Sequence, residues 1–207
     1  MKFTLTLGLL SLAAFAQSPL EGQTMQLIEK PEFTAAGITA VLAAGSAHTA
    51  ALIQDDAILS PLVPFSVLVT NNSGRKLRAI GVRFEWKENG FPRGAVNILT
   101  AMAHDNDPNQ IASGTTMLMT PTQDANDFAL KSPEQRKARF AKPPQSSVGS
   151  GVQSQSDLGA KIGETVGRLN TVSDLRATLE CVVFDDFSFV GSANARRMLH
   201  DHEPRIH

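Results

Sequence analysis

The chain has 207 residues, 19 Lys and Arg against 20 Asp and Glu, and one Cys. That balance leaves no global field to gather nucleic acid or anionic lipid, and a lone Cys excludes an intramolecular disulfide, so the fold must rest on apolar burial. Tyr is absent and Trp occurs once, which removes the aromatic platforms used by sugar-binding and base-stacking surfaces.

The N-terminal stretch Met1–Ala16 has the three parts of a secretory signal. Lys2 is positive, Phe3 to Ala13 is apolar apart from Thr4, Thr6 and Ser11, and Ala14-Phe15-Ala16 ends small-x-small before Gln17, Ser18 and Pro19. The run falls short of the roughly 20 residues a spanning helix needs. No Cys follows it to accept a lipid, and no twin arginine precedes it. The expectation is export by ordinary secretion, cleavage after Ala16, and a product spanning residues 17–207 that is secreted or periplasmic and keeps no integral membrane anchor.

Between residues 24 and 54 the pattern is open: Thr24 to Glu29 suits a strand, while Ala35 to Gln54 fits helix or extended chain. Phe65 to Thr70 alternates and runs into Asn71-Asn72-Ser73-Gly74, a cluster of turn formers. The next run is the clearest. Ile80, Val82, Phe84 and Trp86 share one face, and Gly81, Arg83, Glu85 and Lys87 share the other. Strict alternation with a charged outer face predicts an antiparallel sheet covering a core on one side, since buried parallel strands read as continuous apolar runs. Asn89-Gly90 and Pro92-Arg93-Gly94 predict a turn, Ala95 to Met102 a strand with Val96, Ile98 and Thr100 on one face, and Thr115 to Thr120 another strand ending at Pro121.

From 121 to 171 the chain turns basic (Lys131, Arg136, Lys137, Arg139, Lys142) and then rich in Ser, Gln, Pro and Gly. Low apolar content predicts a flexible insertion, with one short helix from Ser132 through Phe140. Gly159, Gly163 and Gly167 fall four apart, but Lys161, Glu164 and Arg168 break the apolar context a helix-packing motif needs. Leu175, Ala177, Leu179, Cys181 and Val183 then alternate with Arg176, Thr178, Glu180 and Val182, predicting a long strand with the thiol on its apolar face. Asp185-Asp186 turns it into a returning strand with Phe187 and Phe189 on one face. Ser192 is placed to cap a C-terminal helix over 192–203, which Pro204 ends.

Several residues are candidates for chemistry. His104, Asp105 and Asp107 put nitrogen and oxygen donors on one loop and would serve a secreted hydrolase or metal-dependent enzyme. Asp55-Asp56 and Asp185-Asp186 offer carboxylate pairs. Ca²⁺ takes six to eight oxygens, no D-x-D-x-D-G loop supplies them, and turn chemistry accounts for the pairs. His200 and His202 are two apart on a helix and do not face one another, and His207 lies beyond it. No Gly-x-Ser-x-Gly elbow is present, and Cys181 sits in a strand rather than at a helix N-terminus that would stabilise its thiolate. Asn71-Asn72-Ser73 matches a glycosylation acceptor, and the phase of Trp86 places it in the core. No catalytic, cofactor-binding or metal residue is assigned, and no cofactor is expected.

Leu175 to Gly191, LRATLECVVFDDFSFVG, resembles the closing segment of exported acidobacterial proteins of no assigned activity. Those end in an Asp-Gly type turn followed by Phe-Val-Gly-Pro, where this chain has Phe187 in place of the Gly and Ser192 in place of the Pro. The strands Phe65 to Asn71 and Ile80 to Trp86 are similar to bacterial immunoglobulin-like modules, which implies a fold and no activity. The expected architecture is mainly β, an antiparallel immunoglobulin-like sandwich with a long mobile insertion and a short C-terminal helix. The expected function is a non-catalytic envelope or extracellular interaction module whose partner is another protein. The Lys131 to Ser156 loop is one candidate contact.

Overall fold

The computed structural model describes residues 24–53, 56–100, 111–129 and 155–202. Strands dominate and form two sheets that are mostly antiparallel. The smaller has the order β2 (Ile38–Leu42), β3 (Val67–Asn71), β6 (Thr116–Met119). The larger has the order β1 (Gln26–Ile28), β7 (Ser173–Phe184), β4 (Leu77–Glu88), β5 (Phe91–Thr100), and β8 (Phe189–Gly191) also pairs with β7. β1 and β8 share one edge of β7: β1 lies parallel to Arg176–Thr178 and β8 antiparallel to Cys181–Val183. The helices are α1 (Pro31–Ala35), α2 (Ala47–Ile53), a 3-10 turn (Ser60–Phe65), α3 (Gln123–Ala129), α4 (Gln155–Leu169) and α5 (Ala193–His202). The open region before Phe65 thus divides into both strand and helix.

The alternation in Ile80 to Trp86 becomes the centre of the core. Ile80, Val82, Phe84 and Trp86 join Leu175, Ala177, Leu179, Val182 and Phe184 from the larger sheet and Ile38, Val67, Val69, Met117 and Met119 from the smaller. β4 and β5 are joined by Asn89 and Gly90 at φ +52° and +80°, the two left-handed residues of the hairpin turn that matches strand twist. Pro92-Arg93-Gly94, expected as part of that turn, instead lies inside β5, opposite Lys87, Trp86 and Glu85. β5 is an edge strand, and edges accept Pro because no second neighbour needs its missing N–H.

The smaller sheet is not one-sided. Leu68 and Leu118 point away from the first core into a second, with Ile53, Leu59, Leu62, Ala125, Leu158 and Ile162. This corrects the expectation of a flexible insertion over 121–171, because among its described residues stand α3 and α4. Leu158, Ile162, Val166 and Leu169 recur at helical spacing and supply burial, and that stripe outweighs the three glycines. A β-carbon at Gly159, Gly163 or Gly167 would meet nothing within 4 Å, so none of them serves close packing. The helix expected over 132–140 lies outside the described residues.

A second correction concerns Cys181. Gly81 pairs with Cys181 but Val82 pairs with Leu179, so Glu180 is an extra residue, a β-bulge that inverts the alternation. Leu179 and Val182 both face the core, while Cys181 lies on the outer face opposite Gly81. It is fully buried there. Phe187 also departs from expectation: it stands in the turn before β8 at φ +62°, not on the strand beside Phe189.

Candidate functional site

Among the described residues a charged, largely buried polar cluster grows from the bulge. Glu180 is 6 % exposed, and its Oε1 accepts from Lys30 Nζ at 3.3 Å and Arg83 Nε at 3.1 Å. Its Oε2 accepts from the Ser192 hydroxyl at 2.9 Å. Ser192 in turn accepts from the Ala195 amide at 3.1 Å, so the expected N-cap of the last helix is present and is also tied to the sheet. Burial raises the Glu180 pKa, but the Ser192 hydrogen bond and the charges of Lys30 and Arg83 together outweigh it and hold the carboxyl below its ordinary value of 4.5. One carboxylate thereby joins the entry to α1, strand β4 and the start of α5. With both cations and the hydroxyl engaged, the cluster has the make-up of a clasp, not of a general base.

Cys181, beside it, has its thiol pushed up to about 12 by burial and the neighbouring Glu180 charge. The thiolate is the reactive form, so this group is held inert. The packing is tight: a β-carbon at Gly81 would stand 2.6 Å from its Sγ.

Two surface features remain. α3 and α4 flank an open cleft of about 350 Å³ lined by Asp124, Lys161, Glu164 and Arg168, with Thr122 and Thr165. Lys161 and Asp124 pair across it at 3.0 Å. At one end of the larger sheet, the turn 185–188 meets the loop 72–76. Asp185 N donates to Lys76 O at 3.0 Å, Arg75 pairs with Asp186 and donates to Ser188, and the Arg75 guanidinium stands 3.8 Å from the Phe184 ring centroid. The Ser188 amide and hydroxyl and the Arg75 charge hold Asp186 below the usual carboxylate range.

Only some of the sequence candidates fall among the described residues. His104, Asp105, Asp107 and Asp55 lie outside the described residues, as do His207, the Lys131 to Ser154 stretch and Met1–Ala16. His200 and His202 are on the backbone of α5. Asp56 accepts from the amides of Ile58 and Leu59, and Asp186 from that of Ser188, so both make turns. Asn71 is fully buried, its amide donating to the Arg75 and Ile111 carbonyls, which leaves no room for a glycan. Trp86 is in the core, with its indole N–H unpartnered among the described residues. Reasoning from the sequence missed Glu180, whose only signal was a charge inside an apolar alternation. Among the described residues no three His, Cys, Asp or Glu converge as a metal set, and no helix is long and apolar enough to cross a membrane. No protein-family model matches the chain, and no curated protein or solved structure is similar to it.

Proposed function

We propose that this chain is an exported, non-catalytic interaction module on an immunoglobulin-like β-sandwich, acting in the envelope or outside the cell on another protein. The observation that carries the reading is the strand pairing. The orders β2-β3-β6 and β5-β4-β7-β8 support this reading: on it they would take the places of the A-B-E and C′-C-F-G sheets, with β1 an addition beside the F position. The connections from β3 to β4 and from β6 to β7 change sheet, and β4–β5 and β7–β8 are hairpins within one. Trp86 is buried on the C-equivalent strand, where immunoglobulin-like cores keep a Trp. The domain lacks the inter-sheet disulfide of antibody modules, since Cys181 has no partner thiol.

Such sandwiches present loops at the ends of rigid sheets, a format suited to contact. Met1–Ala16 supports export, and the balanced charge argues against nucleic acid. Expression of the full chain in a bacterial host tests the first half of this reading. Mass spectrometry should find the product outside the cytoplasm and starting at Gln17, and a cytoplasmic product that retains Met1–Ala16 refutes export.

A further inference from the structure

Resting on the interaction-module reading, we propose that the end of the larger sheet formed by the 72–78 and 185–188 segments is the docking surface. Its ligand is an extended protein segment carrying acidic residues beside an apolar one, and Phe187 is the anchor. Among the described residues three non-glycine residues have positive φ, Asn89, Asp174 and Phe187. Asn and Asp enter the left-handed region readily, whereas for a bulky aromatic it is an outlier. The strain at Phe187 is not offset by burial, since 64 % of the residue is exposed. The backbone conformation favours Gly there, and outliers of this kind cluster at ligand-contacting sites.

The turn is built to hold that ring still. Phe187 N donates to Phe184 O at 3.0 Å, Ser188 N to Asp186 Oδ1 at 2.9 Å, and Arg75 locks Asp186 and Ser188 from the neighbouring loop. A preorganised aromatic loses little freedom on binding. The surrounding charge selects the partner. Asp186 pairs with Arg75 and the exposed Asp185 accepts the Asp186 amide, so the surface sets three cations, Arg75, Lys76 and Arg78, against two carboxylates. Lys76 and Arg78 have no carboxylate partner among the described residues. The Arg78 guanidinium lies 4.0 Å from the Phe187 ring centroid with its Nε on Asp185 O. Aromatic and Arg side chains together are what interface anchors are made of, and a carboxylate beside an apolar side chain is their complement.

Pools of acidic, neutral and basic peptides matched in hydropathy, and vesicles of phosphatidylglycerol, are offered to the purified protein and to Phe187→Gly, Arg78→Glu and Phe91→Ala. Phe91 is 68 % exposed at the far end of the sheet. The acidic pool should bind best, and Phe187→Gly and Arg78→Glu should each weaken it by roughly tenfold, with Phe91→Ala unchanged. Phe187→Gly should also melt at a higher temperature, because it relieves the left-handed φ. A fall in melting temperature would make the ring structural and overturn the proposal. Acidic-peptide binding that ignores Phe187→Gly overturns this surface and leaves the module reading standing, and a preference for the vesicles alone, or no binding to any pool, also overturns it. Export is read separately from the N-terminus of the secreted product.

Discussion

The outer faces of the two sheets are covered by different means. Over the smaller sheet, Leu68 and Leu118 are sealed by apolar side chains from α2, the 3-10 turn and α4, a non-directional contact that grows with buried area. Over the larger sheet, the cover beside β7 hangs on Glu180, with Cys181 pressed against Gly81 beneath it. Helix α4 is held by area, and the start of α5 by an ionic clasp with a defined geometry. A clasp is lost when its one buried carboxylate is removed, while an apolar seal degrades in proportion to what is removed.

The largest effect should come from the seal. Leu68 is 1 % exposed and truncation to Ala would open a cavity between β3 and the helices, costing about 3 kcal/mol. Urea denaturation should register that loss, and limited proteolysis should locate new cleavage in α4 rather than in α5. If α5 is the segment released, the two covers are coupled and are not held independently.

Glu180→Ala comes next. Removing one member of a buried ion cluster costs about 3 to 5 kcal/mol, and because Lys30 and Arg83 are each 27 % exposed the expected loss is nearer 2 kcal/mol. The pH dependence has a fixed sign. The folded-state carboxyl titrates below its ordinary 4.5, so its stabilisation is fully present above that value and is lost as pH falls through the lower folded-state pKa. Melting curves of the wild type and Glu180→Gln should therefore lie furthest apart near neutrality and converge in acid. A gap independent of pH would mean that the carboxylate charge is not what holds α5.

Gly81→Ala should follow, at about 1 to 2 kcal/mol, since the added β-carbon meets Cys181 Sγ. Cys181→Ala makes room, so the double variant should recover most of the loss. Additive single effects in that cycle would show that the two residues do not press on each other.

What was legible in the sequence follows the same division. Period-two alternation exposed β4 and much of β7, because a half-buried strand writes its burial into its residues, whereas β3 and β6, buried on both faces, are marked by the turn formers and Pro121 that follow them. It could not show the bulge at Glu180, where one extra residue flips every later side chain and leaves a strand that still appears regular. Alternation alone therefore puts Cys181 on the wrong face. Helix α4 was hidden for the opposite reason: its three glycines and low apolar content signalled flexibility, and only the partner surface around Leu68 and Leu118 makes its narrow stripe sufficient. Of the site, the Ser192 cap was visible because capping is local. The convergence of Lys30, Arg83 and Glu180 is not, because residues so far apart in sequence meet only through sheet register.

The smallest effect has the opposite sign, and it examines why α4 is a helix at all. Gly163 and Gly167 are exposed, and a β-carbon on either would meet nothing within 4 Å. If tertiary burial of Leu158, Ile162 and Leu169 holds this helix against its own propensity, the glycines carry only their conformational cost. Replacement by Ala should then stabilise the protein by about 0.5 to 1 kcal/mol at each site, read as a higher urea midpoint at unchanged slope. The Leu68→Ala background sharpens the test: with the seal weakened, α4 leans more on propensity, and the same two substitutions should restore part of its protection from protease. Were either substitution destabilising, a contact to these glycines would have to exist, and α4 would be held by backbone approach instead of by its apolar stripe.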